Sequence, residues 1–293
     1  MDENALTEKE LGKWLGRTRE HEDTLHPVAA TALAATLNRE KKQFTEGQPL
    51  PLLWHWLYFL ETTRLKDLAD DGHPIRGQFL PPIPLPRRMW AGSRLSFHHP
   101  LHLGEPVSKK STIKSLQFKQ GRSGELAFLC VVHETSNEAG IAITEEQDLV
   151  YRGPLSSSAA PKALMKEAEM KAAEVPDYSF TLTPDPVLLF RYSALTFNAH
   201  RIHYDRDYGT SREGYPGLVV HGPLLATLMM ELVTQEYLDR PVLSFEFRAV
   251  QPVFDGAKVV IGGKVPDDSG RCLVWAANSD GEVCMTGGVV LGA

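Results

Sequence analysis

The sequence predicts an α+β fold built from two tandem repeats, each with a buried helix and an antiparallel sheet. Two observations support this prediction. In each half of the 293-residue chain, a helix-like segment precedes four strand-like runs. A Pro-x-x-x-Gly turn also follows the first of those strands in both halves, at 100–104 and 252–256, 152 residues apart. An internal duplication accounts for both observations.

The bulk composition is that of an ordinary globular protein. Hydrophobic residues make up 42% and charged residues 23%, and the formal net charge is −6. These values give no indication of a nucleic acid or an anionic membrane as partner. The N-terminus lacks a signal pattern, and no run approaches the ~18 apolar residues of a membrane helix, so a cytoplasmic location is expected. Three cysteines without CxxC spacing are predicted to be buried thiols: Cys130, Cys272 and Cys284.

The first repeat begins with helical patterns. Residues 5–40 predict one or two helices, with Thr7 and Glu10 as a capping box. The segment 52–60 is apolar nearly all round, which predicts a buried helix whose aromatic side chains belong to the core. After a Pro-rich loop that runs through Pro86, Gly-marked turns separate four predicted strands, at 94–103, 106–118, 125–135 and 141–151.

A composition shift at 154–177 predicts a partly helical linker. Beyond it, an apolar helix is predicted from Pro223 to about Leu238. Four strands are predicted after this helix, at 242–251, 257–265, 271–278 and 282–291. The predicted domains are therefore 1–153 with a helical N-terminal extension, 154–177 as linker, and 178–293. A long helix wrapped by an antiparallel sheet, present twice, is the pattern of a double hot-dog fold. The strand count also fits a general α+β sandwich.

The densest group of chemically active side chains lies in the second repeat. Residues 198–205 read Asn-Ala-His-Arg-Ile-His-Tyr-Asp, and His221-Gly222-Pro223 opens the apolar helix sixteen residues later. Imidazole and carboxylate groups transfer protons, and a helix N-terminus attracts negative charge. This combination predicts acid/base chemistry beside an anion-stabilising site.

These residues carry a resemblance to a known family. Residues 198–205 with the later Gly-x-x-x-His-Gly element ending at Gly222 resemble the MaoC-like and (R)-specific enoyl-thioester hydratases. In the first half, 85–92 and 145–152 resemble the non-catalytic N-terminal domain of double hot-dog members. The resemblance covers nearly the whole chain and is greatest to itaconyl-CoA and mesaconyl-C4-CoA hydratases and to mitochondrial 3-hydroxyacyl-thioester dehydratases. It implies that domain 178–293 is the catalytic hot-dog domain and 1–153 the non-catalytic one.

The resemblance also implies roles for individual residues. His203 matches the family histidine and is the predicted acid/base. Where the family has Asp, this chain has Asn198, which has no titratable proton but can position a water. His200 stands where the family has Asn, and either assists His203, contacts the substrate or lies at the surface. Asp205 is expected to orient its neighbours or to cap a turn.

The predicted helix start supplies the remaining part of the site. Hydration of an enoyl thioester builds negative charge on the thioester oxygen, which N–H groups at a helix start stabilise. Because Pro223 has no N–H, the Gly222 N–H is the expected donor. A simple capping role for Gly222 is the alternative. His221 is expected either to bind the adjacent loop or to line the pocket.

Basic residues are expected to contact the polyanionic CoA part of the substrate. The candidates are Arg191, Arg201, Arg248, Arg87 and Arg88. If the acyl group carries its own carboxylate, one arginine should pair with it, and Arg201 is the first choice because it lies inside the cluster.

The predicted activity is reversible hydration of a short enoyl-CoA, such as the dicarboxylic itaconyl-CoA or mesaconyl-CoA. No cofactor is expected, since no nucleotide-binding glycine motif is present. No metal is expected either, because His98, His99 and His102 lack a suitably spaced partner. The alternatives are a dehydratase of fatty acid synthesis, a non-catalytic acyl-CoA-binding module, and a thioesterase that would use Glu231 or Glu236. Either a monomer or a homodimer is compatible with the sequence.

Overall fold

A single antiparallel sheet of ten strands forms the frame of the molecule. The computed structural model describes residues 8–40, 43–121, 124–153 and 173–293. The strand order across the sheet is β1-β3-β4-β5-β2-β7-β10-β9-β8-β6. The first five strands are β1 Thr18–Thr24, β2 Arg87–Phe97, β3 Pro106–Gly121, β4 Gly124–Asn137 and β5 Gly140–Arg152. The second five are β6 Tyr178–Leu182, β7 Val242–Ala249, β8 Val259–Gly263, β9 Arg271–Ala277 and β10 Val283–Leu291.

The described helices are few and mostly short. They are α1 Glu8–Leu11, α2 Pro27–Thr36, α3 Pro186–Leu195, α4 Arg206–Ser211 and α5 Gly222–Glu236. Within the part of the chain that the structure describes, no helix combines the length and the apolarity that crossing a membrane requires.

The two halves join where β2 pairs with β7. These strands run antiparallel, with Ser93 opposite Phe247 and Ser96 opposite Ser244. Each is the first strand of the four predicted for its repeat. Each is followed by a turn whose glycine has a positive φ, 91° at Gly104 and 77° at Gly256. Each of the eight predicted strands overlaps an observed one, so the duplicated strand pattern is confirmed, although the first strand runs over Arg87–Phe97 and not over 94–103.

Helix α5 is the buried helix of the second half. Its residues from Leu224 to Val233 are all buried, and they pack with β7, β8, β9 and β10. The predicted helix from Pro223 to about Leu238 is thereby confirmed, with its end at Glu236. Pro223 lies in the first turn, where a missing N–H costs no hydrogen bond.

Residues 52–60 are largely buried, as predicted, but they do not form the predicted helix. The segment holds only a 3-10 turn, Trp54–Leu57, between residues of positive φ, Leu53 at 68° and Phe59 at 57°. Tertiary hydrogen bonds override the apolar pattern, because the indole N–H of Trp54 donates to Glu231 and that of Trp56 donates to Glu145.

The helical interpretation of residues 5–40 is wrong in part. Strand β1 interrupts the helices α1 and α2, and it pairs along its whole length with β3. Thr7 of the predicted capping box lies outside the described residues. The same holds for most of the predicted linker 154–177, so the three domain boundaries stay predictions. The three cysteines are buried and unpaired, as predicted.

Candidate active site

The predicted cluster lies on one loop between α3 and α4. Asp185 caps the start of α3 by accepting from the Leu188 N–H at 2.7 Å. After the helix ends, the chain continues through Phe197 into the loop. Residues Arg201–His203 then form a 3-10 turn, and Asp205 caps α4 by accepting from the Tyr208 N–H. The capping role expected of Asp205 is therefore observed. We call residues 198–205, where most of the predicted catalytic residues lie, the catalytic loop.

A cavity of about 950 Å³ lies against this loop. It is lined by both halves of the chain. The second half contributes Asn198, His200, His203, Gly222 and Pro223, and the first half contributes His73, Arg88, His55 and Glu145. A volume of this size is typical of small-molecule sites.

His203 is buried in the wall of the cavity with a defined tautomer. Its Nδ1 lies 2.7 Å from the carbonyl oxygen of Val219. Because a carbonyl only accepts, Nδ1 carries the proton and donates it, so the other ring nitrogen, Nε2, keeps a lone pair. Burial lowers the pKa of His203 to about 4. The ring is therefore neutral at physiological pH, the state that a base requires.

His221 supports the ring of His203 from behind. The two imidazoles stack with centroids 3.7 Å apart and planes 19° apart. His221 Nε2 lies 2.8 Å from the hydroxyl oxygen of Ser193. Burial lowers the pKa of His221, so that a neutral ring lies against His203. His221 does not line the cavity, and its hydrogen bond goes to Ser193 of helix α3 rather than to the adjacent loop, so neither role expected for it is observed in that form.

Asn198 lines the cavity, and among the described residues only the oxygen of its side-chain amide has a hydrogen-bond partner. Its Oδ1 accepts the backbone N–H of His200 at 3.0 Å, which closes a local turn. No hydrogen bond is formed by Nδ2 to another described residue. The amide can therefore donate to a water through Nδ2, while its carbonyl is engaged by the backbone.

His200 connects the catalytic loop to the first half of the chain. Its ring lies 4.1 Å from that of His73 and 5.4 Å from that of His203, measured between centroids. Burial, together with the neighbouring His73 and His203, depresses the pKa of His200 strongly. His200 is half-buried and lines the cavity, so it does not take the surface position that was considered for it.

His73 and its partner Asp71 are site residues that the sequence did not reveal. The Nδ1 of His73 lies 3.0 Å from Oδ2 of Asp71. Burial alone would raise the pKa of Asp71, but the hydrogen bond and charge of His73 hold it below its usual range. The segment Asp-Asp-Gly-His-Pro at 70–74 carries only a turn signal, and more than a hundred residues separate it from the catalytic loop.

Gly222 opens helix α5 at the wall of the cavity. The first N–H groups of a helix have no partner within it, and Pro223 cannot donate. His221, which precedes the helix, makes no side-chain cap. The Gly222 N–H is therefore available to an anion at this end of the cavity.

Of the five predicted arginines, only Arg88 lines the cavity. Arg191 and Arg248 are exposed and lie elsewhere on the surface. Arg87 pairs with Glu213 at 2.7 Å. Arg201, the first choice for a substrate carboxylate, pairs with Asp205 at 2.7 Å and lies outside the cavity lining.

Arg88 differs from the other four in its surroundings. It is half-buried on β2, and no carboxylate lies within ion-pair distance of it among the described residues. Its charge lowers the pKa of both His73 and His200. An unneutralised guanidinium at the side of the histidines favours an anionic ligand in this part of the cavity.

Glu231 does not meet the requirement of a thioesterase base. It is buried in an ion pair with Arg39 and accepts the Trp54 indole N–H at 3.0 Å. It does not line the cavity. Glu236, near the end of α5, is exposed. Neither acid of α5 is therefore placed to activate a water in the cavity.

Among the residues that the structure describes, one group of side chains has a spacing that could hold a metal ion. Ligand atoms of Asp71, His73 and His200 all lie within 4.8 Å of one another. The hydrogen bond between Asp71 and His73 accounts for their proximity without an ion. Arg88, whose charge acts on both histidines, opposes a further cation there.

Comparison with known proteins identifies a matching family and a similar protein. The family model of hydroxyacyl-thioester dehydratase type 2 matches residues 53–255. A mesaconyl-C(4)-CoA hydratase of Chloroflexus aurantiacus is 46% identical over 279 residues, which cover 95% of this chain and 97% of the relative.

Solved structures share the fold at low sequence identity. A MaoC-like dehydratase from Phytophthora capsici has a TM-score of 0.68 at 14% identity, with 98% of this chain and 99% of that chain covered. A Mycobacterium tuberculosis protein described as a double hot-dog fold has a TM-score of 0.57 at 13% identity, with 95% and 96% covered. The predicted double hot-dog fold is confirmed.

Proposed function

This chain belongs to the hydroxyacyl-thioester dehydratase type 2 family and is a hydro-lyase, and on that premise we propose that it reversibly hydrates a short dicarboxylic enoyl-CoA. A mesaconyl-C4-type thioester is the first candidate, because the relative that is 46% identical over most of the chain bears that substrate in its name. Itaconyl-CoA is the second. CoA belongs to the substrate, and the reaction proposed here uses no further cofactor and no metal.

The proposal depends mainly on one observation: a neutral, buried imidazole lines the same cavity as the N-terminus of α5, which has no side-chain cap. The Val219 carbonyl holds Nδ1–H of His203, which leaves Nε2 as the proton acceptor. Gly222 lines the same cavity at the N-terminus of α5. A base and an oxyanion site in one cavity are the two elements that addition of water to an enoyl thioester requires.

In the proposed reaction, one proton travels from water to the substrate. Nε2 of His203 accepts it as the water oxygen bonds to Cβ of the enoyl group. The C=C electron pair moves toward the thioester, whose oxygen gains negative charge. The Gly222 N–H and the dipole of α5 stabilise that charge. His203 then returns the proton to Cα, and the reverse sequence eliminates water.

The substrate carboxylate is proposed to bind Arg88. This replaces Arg201, whose guanidinium is already engaged by Asp205. Arg88 lines the cavity without a carboxylate partner among the described residues. Carboxylate–guanidinium pairs are strong and directional, and they gain strength in a site that excludes bulk water.

The family name supports a second candidate, dehydration of a hydroxyacyl thioester. The same catalytic groups would serve it, since it is the reverse of hydration. Arg88, which has no carboxylate partner among the described residues, favours the dicarboxylic substrate instead. A protein that only binds acyl-CoA would need neither the fixed tautomer of His203 nor the uncapped N-terminus of α5.

Incubation of the purified protein with three thioesters tests the proposal. Crotonyl-, itaconyl- and mesaconyl-C4-CoA are supplied in parallel, with enoyl-thioester absorbance and free thiol both recorded. We expect absorbance loss without thiol release, fastest for a dicarboxylic thioester. Thiol release would indicate a thioesterase, and no turnover of any thioester would indicate a binding module.

A further inference from the structure

A loop from the first half of the chain is fixed against the catalytic loop by its backbone. The Arg201 N–H donates to the carbonyl of Asp71 at 2.9 Å, and its guanidinium donates to the carbonyl of Asp70 at 3.1 Å. Gly72 has a φ of 89°, and a Cβ there would lie 1.8 Å from the Ala199 carbonyl oxygen. Only glycine allows this approach, which sets the position of the next residue, His73.

The carboxylate of Asp71 fixes how His73 faces the cavity. Oδ1 accepts the backbone N–H of His73 at 2.9 Å, while Oδ2 lies 3.0 Å from Nδ1 of the same residue. An ionised carboxylate only accepts, so Nδ1 carries the proton and Nε2 keeps its lone pair. His73 lines the same cavity as His203 and Asn198.

His73 therefore has the same arrangement as His203. In both rings Nδ1–H is committed to an oxygen, of Asp71 in one case and of Val219 in the other, and Nε2 is an acceptor. Burial and the charge of Arg88 lower the pKa of His73 despite its carboxylate partner. A second neutral imidazole acceptor thus lines the cavity near the first, since both rings neighbour His200, with centroids 4.1 and 5.4 Å from it.

The catalytic loop lacks an acceptor that its family pattern has. The resembling enzymes have an aspartate where this chain has Asn198, and a carboxylate accepts hydrogen bonds from water. The carbonyl of Asn198 is engaged by the His200 N–H, so its free Nδ2 group only donates. A water held by Asn198 and His203 would keep one O–H without a partner.

We propose that His73, oriented by Asp71, is a catalytic residue that accepts this second O–H and thereby replaces the missing aspartate. The role rests on the hydratase function proposed above. The water then donates one O–H to His203, donates the other to His73 and accepts from Asn198. One lone pair remains for attack on Cβ. His203 alone takes the proton and returns it to Cα, so the balance of the reaction is unchanged. Asp71 is a positioning residue.

The test replaces His73 and then restores an acceptor at a different place. His73→Ala is expected to lower kcat by roughly 100-fold, a typical loss for a group acting on a transferred proton, with KM changed less than about threefold. Adding Asn198→Asp should recover about tenfold of that loss. The new Oδ1 would keep the turn to His200, and the new Oδ2 would accept from the water.

Two further variants separate this role from a structural one. His98→Ala is the matched control, because His98 is exposed, bonds Thr144 and does not line the cavity. It should retain the kcat of the unaltered protein. His73→Gln keeps a polar side chain should His73→Ala fail to fold, and Asn198→Asp should raise its kcat as well.

The outcomes distinguish this role from the proposed function. If the unaltered protein turns over none of the three thioesters, the proposed function is overturned. If it is active and folded His73→Ala keeps its kcat, only the role of His73 is overturned. The same conclusion follows if Asn198→Asp fails to raise the kcat of the folded His73 variants.

Discussion

At the residue scale, the site depends on which ring nitrogen of each imidazole carries the proton. His203 donates Nδ1–H to a backbone carbonyl and is buried, two features that keep Nε2 free and the ring neutral. The sequence predicted His203, His221 and Gly222 as site residues because they match the two motifs of the family that the chain resembles. It could not reveal His73, which reaches the same cavity only through tertiary contacts, or Asp71, which bonds His73.

The protonation of His203 gives a first prediction. Because burial lowers its pKa to about 4, the base form is complete at neutral pH and is lost as the pH falls through that value. The kcat/KM should therefore be level between pH 6 and 8, with an acid limb centred near 4. Circular dichroism at each pH separates this limb from unfolding. A limb centred near the ordinary imidazole value of ~6.5 would contradict the account.

Arg88 gives a second prediction, on specificity. Arg88→Gln should lower kcat/KM for mesaconyl-C4-CoA by roughly 100-fold, since a charge-assisted pair contributes about 1.5–3 kcal/mol. The value for crotonyl-CoA, which has no second carboxylate, should change less than about threefold. Arg212→Gln, at an exposed arginine outside the cavity lining, is the matched control. An equal loss on both thioesters would exclude Arg88 as the carboxylate partner.

At the scale of elements, local pattern and tertiary pairing compete. The apolar run of α5 was predictable, because its residues are buried on all sides against the sheet. Strand β1 was missed, since its exposed and half-buried residues alternate in a polar sequence that only pairing with β3 stabilises. The segment 52–60 has the apolarity of a helix, but hydrogen bonds to two buried acids fix it as a short turn.

The loop that contains Gly72 gives a third prediction. Gly72→Ala should reduce kcat by about tenfold or more, because its Cβ would displace the loop from Ala199 and move His73. Gly77→Ala is a matched control, with a positive φ of 95° and a nearest atom 3.8 Å from the new Cβ. It should share the backbone strain and keep the activity. Equal kcat in the two variants would show that the contact with Ala199 is unimportant.

At the scale of the whole molecule, the sequence shows the duplication but does not show how the two halves pair. The repeated turn and strand order predicted a duplication, and the family resemblance implied that its two units are hot-dog domains. The β2–β7 junction follows from no local signal, because its partners lie some 150 residues apart. The junction brings a first-half loop and Arg88 to a catalytic loop of the second half. The first half is thus part of the cavity, although the resemblance describes it as non-catalytic.

The junction gives a fourth prediction. A Cβ at Gly92 would lie 2.2 Å from the Phe247 carbonyl oxygen on the facing strand. Gly92→Ala should therefore lower Tm by ~5 °C or more and reduce hydration in parallel, because it forces β2 and β7 apart. Gly12→Ala, where no atom lies within 4 Å of the new Cβ, should leave both unchanged. An unaltered Tm for Gly92→Ala would show that the two halves do not depend on close pairing here.

The central claim is that His203 adds one water to a dicarboxylic enoyl-CoA and leaves the thioester intact. The most direct measurement is the mass of the product formed from mesaconyl-C4-CoA in ¹⁸O-labelled water, by the unaltered protein and by folded His203→Ala. The account predicts a single labelled oxygen on an intact CoA thioester, formed by the unaltered protein alone. Free CoA, an unlabelled substrate, or equal labelling by His203→Ala would contradict it.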